Sequence, residues 1–203
     1  RTVVNPIQSA NNAKLKLESR STGDNQKWYL EPVDEANFYF RYMFTNANEN
    51  SYITLGSGYK MYRETLNDWH YAIDITGKTS FIRGTPIFSP TSGTVIYSQH
   101  NPESGNYVVI ETDKCVKGTG KKVILTFAHM IEKSPLEVGQ RVLPKKFIGY
   151  VGSTGNSSGD HLHHAVFKSP PGSNTIYESQ INCINPQRFY PNVPFAGETS
   201  TAP

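Results

Sequence analysis

The chain has 203 residues and a formal net charge of +3, with 36% apolar and 12% aromatic residues. This length allows one large or two modest domains with a buried core, and the composition excludes an intrinsically disordered chain. No apolar run is long enough for a membrane-spanning helix, and no basic cluster is dense enough to indicate nucleic-acid binding.

Short alternating runs rich in Tyr and Phe, separated by frequent Gly, Pro, Asn and Ser, predict a mainly β protein without long helices. We expect an antiparallel β-sheet domain over residues 59–194, preceded by a small β module over residues 1–58. Residues 195–203 are expected to form a mobile tail. The chain opens at Arg1 without a basic and then apolar leader, so we expect any secretion signal to be absent or already removed.

The N-terminal module has its own character. Its strand candidates are residues 14–18, 38–44 and 52–55. Between the first two, Gln26-Lys27-Trp28 resembles the Gln-x-Trp repeat of ricin-type lectins, of which a complete trefoil needs three copies. This resemblance implies a module that binds cell-wall glycan or another carbohydrate. The alternative is an accessory β segment that packs against the rest of the chain, with Trp28 as an ordinary core residue.

The first two histidine motifs lie in predicted strands of the larger domain. In a strand, His70 and Asp74 project from the same face, with the small residue Ala72 between them. Further along, the apolar run 123–129 ends in His129. An aspartate and two histidines are a ligand set that suits Zn²⁺, and three protein ligands leave a fourth position open, as in catalytic zinc sites.

A third histidine motif follows a loop rich in Gly and Ser at residues 152–160. His161 and His163 project from one face of the predicted strand, about 7 Å apart along it. Such a pair suits one metal ligand and one neighbouring proton-transfer group, and strand geometry does not tell which is which. His164 projects from the other face, and we expect its replacement to have little effect.

The three motifs occur in a recognisable order. His70-x-x-x-Asp74, residues 127–129 and His161-Leu162-His163 resemble the corresponding motifs of lysostaphin/LytM-type zinc endopeptidases, which cut peptides of bacterial peptidoglycan. The similarity extends from about residue 69 to about residue 190. Two departures from the family pattern occur: Ala72 stands where the family usually has Gly, and His164-Ala165 stand where it has Phe-Glu.

The resemblance implies a zinc endopeptidase in which His70, Asp74 and His163 hold Zn²⁺. Zinc would polarise the peptide carbonyl and lower the pKa of its water to about 7. His129 and His161 would serve as general base and as the partner of the oxyanion or leaving amine, with the division between them left open. The resemblance further implies a peptidoglycan peptide as substrate and a secreted or envelope-associated bacterial protein.

A substrate-binding tyrosine is also implied. Family members often have a tyrosine upstream of the first metal-binding histidine, where its hydroxyl helps to hold the substrate carbonyl. Tyr62 is the nearest candidate, and Tyr59 is the second.

Two other functions are compatible with these motifs. One is a non-catalytic scaffold that binds cell wall or a protein partner, and the other is a different zinc hydrolase or lyase. Degenerate scaffolds usually lose a metal ligand or a catalytic histidine, whereas this chain keeps all five residues, which favours the peptidase. The sequence gives no indication of the oligomeric state.

Cys115 and Cys183 lie outside the histidine motifs, so neither is expected to bind the metal. An even number of cysteines in an exported chain favours a disulfide between them. The alternative is that both are small buried hydrophobic residues.

Overall fold

The computed structural model describes residues 40, 43–44, 51–53, 58–64, 66–77, 83–116, 119–169 and 182–190. This part of the chain is mainly antiparallel β, which confirms the predicted fold class. Its helical content is a short 3-10 helix at Pro186–Phe189. Within these ranges, no helix has the length and apolar character needed to cross a membrane.

Twelve strands make up the described part of the fold. They are β1 (Ser51–Ile53), β2 (Met61–Arg63), β3 (Asp68–His70), β4 (Ile73–Gly77), β5 (Pro86–Phe88), β6 (Gly93–Asn101), β7 (Gly105–Cys115), β8 (Lys122–Met130), β9 (Arg141–Val142), β10 (Phe147–Tyr150), β11 (Leu162–Ser169) and β12 (Cys183–Ile184). The main sheet has the order β1-β4-β11-β8-β7-β6-β9, with β12 also paired to β11. Strands β2 and β3 form one separate pair, and β5 and β10 form another.

The centre of the main sheet is buried on both faces. Every residue of β8 after Lys122 is buried, which explains why this strand is a continuous apolar run rather than an alternating one. Strand β11 beside it is buried at six of its eight positions. Phe127 and Phe167 are among the largest fully buried side chains. The two strands that carry His129 and His163 are therefore fixed by the core.

The segment that contains His70 and Asp74 is not one continuous strand, and this part of the prediction is wrong. His70 ends β3, which pairs with β2, whereas Asp74 lies in β4, which pairs with β1 and β11. Tyr71 and Ala72 connect the two strands. The two side chains nevertheless lie close together, because β3 and β4 are joined by only two residues. His70 Nε2 lies 3.3 Å from Asp74 Oδ1.

Described residues on the N-terminal side of Gly58 belong to the same core. Phe40 stacks on Phe189 with 4.9 Å between ring centroids, the carbonyl of Met43 accepts the amide of Phe88 at 2.8 Å, and β1 pairs with β4. The division at residue 58 and the tail at 195–203 stay predictions. The strand candidate at 14–18 and the lectin-like motif at 26–28 lie outside the described residues.

The predicted disulfide between Cys115 and Cys183 is wrong. Cys115 is exposed at the end of β7, and Cys183 is buried in β12. From β7 to β12 the path across the sheet passes through β8 and β11. Three strand spacings correspond to about 14 Å, whereas a disulfide requires Cα atoms within about 7 Å of each other.

Candidate metal centre

Three donor atoms converge where β3, β4 and β11 meet. His163 Nδ1 lies 2.9 Å from Asp74 Oδ1, because these two residues are direct partners in the β4–β11 register. His70 Nε2 lies 3.2 Å from His163 Nδ1 and 3.3 Å from Asp74 Oδ1. Tetrahedral zinc with bonds of about 2.0–2.1 Å needs donor atoms about 3.3 Å apart. The donor set therefore fits a zinc ion and leaves a fourth coordination position.

The protonation of two of these groups is set by their surroundings. His70 Nδ1 lies 3.2 Å from the carbonyl oxygen of Gly58, which can only accept, so Nδ1 carries the proton and the lone pair of Nε2 faces the site. Burial alone would raise the pKa of Asp74, but the hydrogen bond from His163, together with the neighbouring histidine rings, holds that pKa well below its usual range. The aspartate is thus an anion at neutral pH.

His129 stands at the end of β8 in a left-handed backbone conformation, with φ of 62°. The register between β7 and β8 shifts between Asn106 and Val108, and such a bulge re-aims neighbouring side chains. His129 Nδ1 donates to the carbonyl of Thr154 at 2.8 Å, which leaves Nε2 without a proton. Burial, together with the charge of His163, lowers the pKa of His129 to about 4. The ring is therefore neutral at neutral pH and able to accept a proton.

His161 reaches the same site from the loop before β11. Its Nδ1 donates to the carbonyl of Gly159 at 2.8 Å, and its Nε2 lies 3.6 Å from Asp74 Oδ1. The ring centroid of His129 lies 4.8 Å from that of His161 and 5.7 Å from that of His163. The structure thus brings together all five residues that the sequence predicted for the site.

His164 projects away from this cluster, as predicted. Its Nδ1 donates to the carbonyl of Thr126 at 2.9 Å, and its Nε2 accepts the hydroxyl of Tyr190 at 2.9 Å. The side chain is fully buried. Removing it would break two buried hydrogen bonds, so we expect its replacement to lower the stability of the fold. That its replacement has little effect on zinc binding and hydrolysis stays a prediction.

Tyr62 does not join the cluster in the described contacts. In the β2–β3 pair it lies opposite Trp69, whereas Met61 lies opposite His70, so Tyr62 and His70 project from opposite faces. Its hydroxyl donates to Asn67 Oδ1, and its ring is 44% exposed. A role of Tyr62 in substrate binding stays a prediction. The second candidate, Tyr59, is buried, and its hydroxyl donates to a backbone carbonyl in β12.

The groups that orient the histidines could not be predicted from residue types. They are the backbone carbonyls of Gly58, Thr154 and Gly159. A carbonyl oxygen carries no side-chain signal. The loop composition around residues 152–160 indicated a sharp turn near the site, but not which of its carbonyls would face a ring nitrogen.

The family follows from a match over the segment that carries this site. Residues 68–177 match the model of the family described as Peptidase family M23. The chain belongs to peptidase family M23. Among curated relatives, it is 33% identical over 83 residues to the peptidoglycan DD-endopeptidase ShyA of Vibrio cholerae and 34% identical over 83 residues to the peptidoglycan DD-endopeptidase ShyB of the same organism. These alignments cover 41% of this chain, but only 17% of ShyA and 18% of ShyB.

Solved structures confirm the fold of this M23 domain. LytU is 27% identical with a TM-score of 0.52, and the match covers 72% of this chain and 88% of that one. The catalytic domain of lysostaphin from Staphylococcus simulans is 24% identical with a TM-score of 0.50, over 66% of this chain and 87% of that domain. The predicted likeness to the lysostaphin/LytM type is therefore confirmed.

Proposed function

We propose that this protein is a zinc-dependent endopeptidase that hydrolyses peptide bonds in bacterial peptidoglycan. The observation that carries the proposal is the pair of histidines, His129 and His161, that lies beside three donor atoms at zinc spacing. Such an arrangement supplies an open metal position with proton-transfer groups next to it, which a purely structural zinc site does not need.

His70 Nε2, Asp74 Oδ1 and His163 Nδ1 would hold the metal. Bound zinc would act as a Lewis acid on the scissile carbonyl and would make the attacking water more acidic. The hydrogen bond from His70 Nδ1 to the carbonyl of Gly58 would hold the ring with Nε2 toward the metal.

We assign proton acceptance to His129. Its Nε2 is unprotonated because Nδ1 holds the proton against a carbonyl, and its lowered pKa of about 4 keeps the ring neutral. His161 is then the group that, when its ring carries a second proton on Nε2 beside the one that Nδ1 donates to Gly159, steadies the oxyanion or gives that second proton to the departing amine. Its Nε2 faces the carboxylate of Asp74. No glutamate is needed for proton transfer in this scheme.

The substrate class rests on the relatives. ShyA and ShyB are peptidoglycan DD-endopeptidases, and this chain matches less than a fifth of the length of each. A peptidoglycan stem peptide or cross-bridge is the substrate that we propose, with action in the bacterial envelope or outside the cell. Residues 1–58, which contain the lectin-like Gln26-Lys27-Trp28, are proposed to contribute binding to cell-wall glycan.

The test combines metal analysis of the purified protein with digestion of purified peptidoglycan. Mass spectrometry of the products should show new amino termini, together with close to one zinc ion per chain. Released reducing sugars would instead indicate a different zinc hydrolase or lyase. Bound zinc without any cleavage would indicate the non-catalytic scaffold.

A further inference from the structure

Thr154 is attached through all three of its polar groups to the strand ends around His129. Its carbonyl accepts the Nδ1 proton of that histidine at 2.8 Å, and its amide approaches the carbonyl of the same residue at 3.4 Å. Its hydroxyl donates to the carbonyl of Met130 at 2.7 Å and accepts the amide of Asn106 at 2.9 Å. One residue of the loop before His161 is thereby bonded to both β7 and β8.

The backbone of the loop that contains Thr154 packs directly against the backbone of the turn between β6 and β7. A Cβ atom added to Gly105 would lie 2.3 Å from the carbonyl oxygen of Thr154, and one added to Gly155 would lie 2.2 Å from the amide nitrogen of Gly105. Both glycines also have positive φ, which other residues rarely adopt. The carbonyl of Thr154 therefore has no room to move toward Gly105.

His129 depends on such support for two reasons. Its left-handed backbone is unfavourable for a residue with a Cβ and persists only where surrounding contacts fix it. In addition, a neutral imidazole has two tautomers, and only the one with the proton on Nδ1 leaves Nε2 able to accept a proton. A carbonyl held against Nδ1 selects that tautomer.

We propose that Thr154 is a positioning residue for the peptidase reaction. Its hydroxyl, fixed between Met130 and Asn106, holds its carbonyl against His129 Nδ1, so that the proton stays on Nδ1 and the lone pair on Nε2. In the described contacts Thr154 touches none of the three metal-donor side chains, and it acts through His129. This assignment rests on the proposed peptidase function.

The test uses the zinc-loaded protein and three substitutions. Thr154→Val removes the hydroxyl at nearly constant volume, and Thr154→Ser keeps the hydroxyl. Thr119→Val is the matched control: the Thr119 hydroxyl likewise donates to a carbonyl, at 3.0 Å, and accepts an amide, at 3.1 Å, but it lies at the opposite end of the β7–β8 hairpin.

Loss of a partner that orients an active-site group typically costs about 10- to 100-fold. Thr154→Val should lower kcat by that amount with KM and zinc content unchanged, while Thr154→Ser and Thr119→Val should stay within about twofold of the wild type. Wild-type kcat in the Thr154→Val protein would overturn the proposal. A parallel loss of zinc or a matching rise in KM would also overturn it, because such changes indicate a merely structural role.

A second readout does not depend on activity. The ¹⁵N chemical shifts of His129 should show protonation at Nδ1 in the wild type and a mixture of tautomers in Thr154→Val. A wild-type His129 protonated at Nε2 would overturn the proposal even if every Thr154 variant failed to fold. If the wild type does not cleave peptidoglycan, the proposed function fails, whereas the tautomer comparison still decides the role of Thr154.

Discussion

Because His129 is buried and neutral, we expect the free energy of unfolding to depend on pH in the acid range. Burial lowers its pKa from the ordinary value of 6.5 to about 4 in the folded protein. Between these two pH values the unfolded chain holds a proton at this position and the folded chain does not. The free energy of unfolding should therefore fall as the pH drops from about 6.5 to about 4. The stabilising contribution of the neutral His129 should be fully present only above pH 6.5.

The size of the effect follows from the shift. A difference of about 2.5 pKa units corresponds to about 3 kcal/mol of stability between pH 7 and pH 4. The contribution of Asp74 falls in a separate window, because its pKa lies well below 3.8 in the folded protein and its stabilisation is lost only at more acidic pH. His129 is therefore the group to vary within the window between pH 7 and pH 4.

Urea denaturation of metal-free protein at pH 7 and pH 4 measures this difference. His129→Asn is the matched variant, because Asn tolerates positive φ and its side-chain amide can donate to the carbonyl of Thr154, but it does not titrate. The wild type should lose about 3 kcal/mol more than the variant over this interval. Equal losses in the two proteins would refute the buried, neutral state of His129.

Three further predictions concern other parts of the molecule. His163→Ala should lose both zinc and activity, whereas His161→Ala should keep near-stoichiometric zinc and slow hydrolysis by roughly 10²- to 10⁴-fold; zinc content measured beside the rate separates them. Removing residues 1–39 should weaken attachment to whole cell walls more than it weakens cleavage of a small soluble peptide. Removing residues 1–58 should also lower the melting temperature, because this truncation deletes β1 and buried core residues. His164→Ala should retain zinc but lose about 2–4 kcal/mol of stability in denaturant unfolding, because it opens a cavity and removes two buried hydrogen bonds.

Other outcomes would count against each of these predictions. If His163→Ala retained zinc and His161→Ala lost it, the assignment would be reversed, with His161 as the metal ligand and His163 as the proton-transfer group. Equal losses on walls and on soluble peptide after removal of residues 1–39 would argue against a targeting module. If His164→Ala were as stable as the wild type, the two hydrogen bonds of His164 would make no net contribution to the free energy of unfolding.

The main features of the fold and the site could be predicted from the sequence because they depend on local pattern. The apolar run that ends in His129 is central strand β8, and the alternation around His163 places that ring and His164 on opposite faces of β11. Strand period alone thus indicated which histidines share a face. Composition alone indicated a mainly β protein without long helices, and the described residues confirm it for the part of the chain that they cover.

The features that could not be predicted depend on contacts between distant segments. The chain between His70 and Asp74 changes strand partner, and residue spacing contains no sign of this change. The separation of Cys115 from Cys183 depends on the order of strands in the sheet, which their even number cannot indicate. The carbonyl of Thr154 is a backbone group, so no residue type marks it as the partner of His129.

Release of new amino termini from purified peptidoglycan, followed in one sample through chelation and re-addition of zinc, tests the central claim most directly. We expect cleavage by the zinc-loaded protein, no cleavage after chelation, and recovery when Zn²⁺ is restored, because the donor set holds a metal that the reaction requires. The His163→Ala protein, treated in the same way, should not recover. Undiminished cleavage by exhaustively demetallated wild-type protein would contradict the zinc-dependent mechanism.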